Sequence, residues 1–293
     1  MRLLTLDRAA TLAPAFAKWF GGSSPQRPGV HRVADSSSSR PFAFITLHPF
    51  AAKRADRIGL YRLGFWPAER RRQASPSYAN PLGFIEVGSG DVTTQVSEHF
   101  QLGDFLTHDQ AEVWPKYLVL REDLIDKLEL VIDALQRKGV AVRTMRVMSG
   151  FRTPRYNARG GNASGRSETS RHMYGDAADV FVDNDGDGRM DDLNHDGRVD
   201  VQDTEVILNA VERVEREYPE LVGGLGLYAG MGPSGPFTHI DVRGSRARWT
   251  NSGASKRPAT PRYAWSGADA SHAERVSGCS ATGASAALCV GVH

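Results

Sequence analysis

Cysteine is nearly missing from this chain of 293 residues: the two it has, Cys279 and Cys289, both fall in the Gly/Ser/Ala-rich stretch near its end. A core framed by disulfides is thereby excluded, and so are thiolate ligands for a metal in the middle of the chain. The pair either closes a small loop in an oxidising compartment or stands as two free thiols. Long apolar runs are missing too. None approaches the roughly 20 residues that cross a bilayer as a helix, so no membrane span is expected. An excess of either charge sign is the third absence. Thirty-six Lys and Arg stand against 34 Asp and Glu, a net charge of +2, which gives no electrostatic reason to expect a nucleic-acid partner. The first residues have a basic start, Met1-Arg2, but Asp7, Arg8 and Pro14 break the apolar stretch, which makes a poor signal peptide.

What is present divides the chain. Residues 1–40, rich in Ser, Pro and Arg around Ser36–Ser39, read as a flexible leader. From 41 to 95, short apolar runs such as Phe42–Leu47 and Ile58–Leu63, separated by Pro and Gly, predict an accessory β-rich region. A larger domain follows over 96–250, and 251–293 reads as a C-terminal tail. Within the large domain Leu124, Leu128, Val131, Ile132 and Leu135 share one helical face before Lys138-Gly139, and Val140–Val147 alternates as a strand. Of the other histidines, His99 reads as a surface or packing residue.

The chemistry sits just after that strand. Ser149-Gly-Phe-Arg152-Thr-Pro154-Arg-Tyr-Asn157 is followed by Ser170-Arg-His172-Met-Tyr-Gly175-Asp-Ala177-Ala-Asp179. An imidazole and a carboxylate seven residues apart, one on a loop and one on the strand after it, suit two ligands of a zinc ion. A third comes from Phe237-Thr238-His239-Ile240-Asp241-Val242, whose alternation marks a strand with His239 and Asp241 on one face. Two imidazoles, one carboxylate and an open position are the donor set of a hydrolytic zinc site.

On these motifs, from about Ser97 to Trp249, the chain resembles the zinc D-Ala-D-Ala carboxypeptidases and murein endopeptidases. Gly224-Leu-Gly-Leu-Tyr228 and the run from Phe237 through Arg243 to Trp249 look most like the murein endopeptidase branch. The resemblance implies an α+β fold with a small antiparallel sheet, zinc on His172, Asp179 and His239, and substrate-binding roles for Arg152 and Ser170. It further implies hydrolysis of D-amino-acid-containing stem peptides of peptidoglycan, by endopeptidase or carboxypeptidase cleavage, in the periplasm or outside the cell. Many relatives carry an acidic general base three residues before the last histidine; here that position is Pro236, and Asp241 is the substitute candidate. Asp241 suits equally the role of orienting His239. The alternative function is a zinc protein, weak or inactive as a catalyst, that binds wall peptides. The basic stretch from Lys53 to Arg72 reads as a solvated face, with contact to anionic wall polymer as its alternative.

A second metal motif is inserted at 183–203. Oxygen-bearing residues at loop positions 1, 3, 5, 9 and 12 with Gly at 6 form the pattern of a calcium loop. Two registers fit: Asp183, Asp185, Asp187, Asp191 and Asn194, or Asp192, Asn194, Asp196, Asp200 and Asp203, the second being the stronger. Eight aspartates so close together would repel one another without a cation. Structural calcium is therefore expected, ordering the connection between Asp179 and His239. A partner-docking module is ranked behind it, because the registers overlap at Asn194. Asp203 also suits a cap for the helix carrying Val206, Ile207, Ala210, Val211 and Val214. His195, inside the loop, reads as an exposed side chain.

Overall fold

The computed structural model of the chain describes residues 2–4, 27–33, 42–70, 75–160, 167–230 and 232–251. Most of the expected leader, and the C-terminal tail from residue 252 with both cysteines, lie outside the described residues. The described part is mixed α and β. Its centre is a five-stranded sheet in the order β13-β11-β12-β10-β9, made of β9 (Met145–Ser149), β10 (Ala177–Val182), β11 (Gly224–Tyr228), β12 (Phe237–Asp241) and β13 (Ala247–Asn251). Every pairing in it is antiparallel except that of β11 with the edge strand β13.

Two helices flank this sheet in the chain. α1 (Glu122–Gln136) buries Leu124, Leu128, Val131, Ile132 and Leu135, the stripe legible in the sequence. Each such side chain, fully buried, contributes roughly 1.5–3 kcal/mol. A short α2 (Pro154–Gly160) follows β9, and α3 (Val201–Glu217) buries Ile207, Ala210, Val211 and Val214. α1 and α3 pack on one another and α3 rests on β11 and β12. The strand expected over 140–147 lies later, at Met145–Ser149, because Asn184 captures residues 141–144: its side-chain amide donates to the Ala141 carbonyl and its oxygen accepts from Arg143 N–H.

The N-terminal stretches form small sheets: β1 (Arg2–Leu4), β3 (Phe42–Thr46) and β2 (Gly29–Val33) in one, and β4 (His48–Pro49), β7 (Gly83–Val87) and β8 (Lys116–Leu118) in another. β5 (Arg57–Ile58) and β6 (Tyr61–Arg62) form a hairpin. One buried apolar cluster runs through all of this, from Ile45, Leu63 and Trp66 to Leu128, Val180, Val211 and Ile240. Residues 41–95 therefore share their core with residues 96–250. Among the described residues no helix is long and apolar enough to cross a membrane.

Candidate metal centre

Sheet register gathers the first two ligands. Asp179 on β10 lies opposite His239 on β12 and, on its other side, opposite Ser149 on β9. Since side chains alternate along a strand, directly opposed residues share a face. The third ligand, His172, comes from a single turn of 3-10 helix, Arg171–Tyr174, that ends at Gly175. Gly175 has φ of 65°, and a Cβ there would lie 2.2 Å from the Val119 carbonyl oxygen, so only glycine lets the chain turn from His172 into β10.

The three donors form a nearly equilateral triangle. His172 Nε2 to Asp179 Oδ1 is 3.2 Å, His239 Nδ1 to Asp179 Oδ1 is 2.9 Å, and His172 Nε2 to His239 Nδ1 is 3.2 Å. A tetrahedral ion with donors about 2.0–2.2 Å away needs them about 3.3 Å apart, close to this spacing. All three side chains are buried.

The outer atoms of each ligand are occupied, which decides what the inner atoms can do. His172 Nδ1 donates to the Gly150 carbonyl at 2.7 Å, leaving Nε2 as a lone pair facing the triangle. His239 Nε2 lies 3.2 Å from Asp241 Oδ2, leaving Nδ1 as the nitrogen that faces the triangle. Arg152 donates from Nη2 to Asp179 Oδ2 and from Nε to Ser149 Oγ, so the Asp179 oxygen that remains is Oδ1. Such outer partners fix ring tautomer and carboxylate orientation at metal sites.

Electrostatics follow the same layout. Burial pulls the His172 pKa below its usual value, outweighing the neighbouring Asp179. Burial opposes ionisation of Asp179, but the two imidazoles outweigh it and hold that carboxyl well below the carboxylate range. His239 also loses by burial, yet its hydrogen bonds to Asp179 and Asp241 lift it to about 8.

Asp241 is expected either as general base or as the group that orients His239. It is fully buried, accepts from the Gly224 and Arg243 N–H groups, and is chelated by the Arg243 guanidinium while its other face meets His239. Its pKa is driven far down, burial notwithstanding, by His239 and Arg243. A carboxylate so stabilised in its charged form is a poor proton acceptor. Asp241 thus lies behind His239, against the ring's outer nitrogen. Arg152, expected to grip substrate, spends two of its nitrogens on Asp179 and Ser149. Ser170 is buried at the start of the His172 turn and makes no side-chain cap bond there.

Several contributors went unassigned in the sequence. Arg243 completes the charge of Asp241, and Lys127 of α1, wholly buried, donates to the Asp241 carbonyl at 2.8 Å and to Glu215 of α3 at 2.7 Å. Trp249 lies beside His239, ring centroids 5.2 Å apart, and its indole N–H donates to the Tyr228 hydroxyl at 2.9 Å. A lysine in an otherwise apolar helical stripe was the available signal for Lys127; Arg243 and Trp249 lay in the quoted run, but the place of Trp249 beside His239 depends on the parallel pairing of β13 with β11.

The acidic insertion folds as two loops that repeat every nine residues. In the first, Asp183 accepts from Gly188 N–H, Asp185 from Asp187 N–H and Asp187 from Arg189 N–H. In the second, Asp192 accepts from Gly197 N–H, Asn194 from Asp196 N–H and Asp196 from Arg198 N–H. Gly188 and Gly197 hold φ of 83° and 82° at the matching turn. Asp183, Asp185 and Asp187 bring one carboxylate oxygen each within 4.8 Å of one another. Much of the expected repulsion is met from within, by those amides and by Arg146, which pairs with Asp183. Asp191 accepts from Asn184 N–H. Asp203 is fully buried, and its two oxygens accept from Leu193, Asn194 and Asp200 N–H. It closes the loop onto α3 and takes part in its cap: Asp200 is the N-cap residue, bonded to Gln202 N–H, and Asp203 completes the capping box by accepting from Asp200 N–H. His195 is exposed, at φ of 60°, and His99 pairs with Glu129, both away from the triangle.

No family model matches the chain, and no curated protein matches it. Among solved structures it is similar to the crystal structure of the Serratia marcescens L-Ala D-Glu endopeptidase ChiX, at 20% identity over 42% of this chain and 82% of that one, with a TM-score of 0.28.

Proposed function

We propose that this chain is a zinc-dependent peptidase acting on D-amino-acid-containing peptides of the cell wall, outside the cytoplasm. The observation that carries the reading is the triangle of His172, Asp179 and His239, with every outward atom engaged so that three ligand-type atoms converge. The substrate class rests on the resemblance of the SGFRTP, SRHMYGDAAD and FTHIDVR segments to metallo-DD-peptidases.

Zinc held by these three residues would polarise a scissile carbonyl and acidify water. The chain's own groups do the rest. Asp241 and Gly150 fix the rings of His239 and His172, Arg152 leaves one Asp179 oxygen facing inward, and the remaining Arg152 nitrogen, Nη1, is offered to a peptide carbonyl or carboxylate. Ser170 is the proposed hydrogen-bond partner of the substrate backbone. The double loop at 183–203 is proposed to take calcium in a structural role, on Asp183, Asp185 and Asp187 and on Asp192, Asn194 and Asp196.

A second reading, a protein that binds wall peptide without cutting it, is favoured by one specific observation: Asp241 is locked in an ion pair and position 236 is proline. Incubating the purified protein with muropeptides, measuring product masses and counting bound metal separates the two. Cleavage with one zinc per chain is expected. Intact muropeptides with zinc retained would establish the binder, and a chain that takes up no zinc would overturn both.

A further inference from the structure

His172 is the one ligand not carried by the sheet. A single 3-10 turn has poorer hydrogen-bond geometry than an α-helix and holds itself weakly. The structure supplies the missing restraint from the N-terminal part of the chain, through the two neighbours of His172. On one side, the Met173 carbonyl accepts from the indole N–H of Trp66 at 2.8 Å, in a wholly buried bond. On the other, Arg171 donates from Nη1 to the Ser77 carbonyl at 2.9 Å, and its guanidinium lies against both the Tyr78 and Tyr174 rings, 4.8 and 4.9 Å from their centroids. The same guanidinium chelates Asp176, which is also close to Arg121. A further tie runs from Arg155 N–H to the Leu63 carbonyl at 2.9 Å, onto the segment that carries Arg152.

We propose that the stretches 63–66 and 77–78 are a positioning brace for His172, so that the N-terminal region is a working part of the metal centre. The Trp66 indole N–H and the Ser77 carbonyl grip the turn on both sides of the ligand, and the Gly150 carbonyl then sets the ring. A 1 Å drift of the turn would open the triangle, and ligand misplacement on that scale costs affinity steeply. The brace rests on the zinc reading only for its consequence. Its geometry stands without the metal.

The test uses the full chain with Trp66→Phe, which keeps an aromatic ring and removes the donor. In metal-free protein labelled with 15N-histidine, the His172 ring N–H signal, protected by Gly150, is expected to shift or broaden while that of His99 stays in place. Zinc affinity, by chelator competition, is expected to fall about tenfold, and the visible spectrum of the cobalt-substituted protein to change with it. Turnover is expected to fall through kcat with KM little altered. Tyr78→Leu, which loosens Arg171 from the outside, is expected to move the same readouts by less, and serves if Trp66→Phe fails to fold. Wild-type values of the His172 signal and of zinc affinity in a folded variant, with only the melting temperature lowered, would overturn the brace. Wild-type protein that takes up no zinc would overturn the zinc reading instead, and the metal-free histidine signal would still decide the brace.

Discussion

The triangle at 172, 179 and 239 and the double loop at 183–203 each gather groups that could hold a metal, yet they are built in opposite ways. The triangle is buried, its members come from three elements, and two of its three residues have their outer atoms bonded to residues distant in sequence, Gly150 behind His172 and Arg152 behind Asp179. The loops are largely exposed, and most of their carboxylates are satisfied by backbone N–H groups two to five residues away. A ligand set that depends on tertiary packing is rigid and expensive to disturb. One that depends on local turns reshapes itself at little cost. The lesson is that burial of the outer atoms, more than the number of acids, distinguishes a preorganised centre from an acidic surface.

Substitutions should break the two regions unequally. The largest effect is expected for His172→Ala and His239→Ala: loss of bound zinc by elemental analysis and loss of muropeptide cleavage by at least about a thousandfold. Turnover retained in metal-free variants would end the zinc reading. Next comes Asp241→Asn, which strips His239 of its partner and leaves Arg243 unpaired. Zinc affinity should drop about 10–100-fold and stability by about 3 kcal/mol, read by chelator competition and denaturant melts. Unchanged affinity would show that Asp241 does not orient the ring.

Acidity sharpens the same contrast. His239 sits at about 8 against the ordinary 6.5, so its contribution to the metal-free fold is complete below about 6.5 and is lost as pH rises through about 8. Zinc bound at His239 would displace that proton, so affinity should climb about tenfold per pH unit up to about 8 and then level off. A flat profile across that window would contradict the pairing of His239 with the two carboxylates. The smallest effect belongs to the loop. Asp196→Asn in chelator should change stability by no more than about 0.5 kcal/mol and leave zinc occupancy untouched, while abolishing any rise in melting temperature that calcium gives the wild-type protein. If calcium leaves the wild-type melting temperature where it was, the structural-calcium proposal fails.

Much of this was legible in the sequence because it depends on neighbours along the chain. The stripe of α1, the body of α3 and the turns at Gly188 and Gly197 follow from periodicity and backbone preference within a few residues. So does the alternation that puts His239 and Asp241 on one face of β12. The candidate ligands could be named from residue type and spacing alone, with the resemblance to metallo-DD-peptidases pointing the same way.

What each polar side chain faces was decided only by the tertiary structure. That Lys127 and Gly224 reach Asp241, that Arg152 turns onto Asp179 and that Trp66 reaches Met173 all depend on contacts across the fold. The physical reason is that a buried donor or acceptor must be matched, and the candidate partners outnumber the true one until packing brings a single pair together. Sequence therefore set which atoms were available to a metal, and the fold set which of them are left free to bind it.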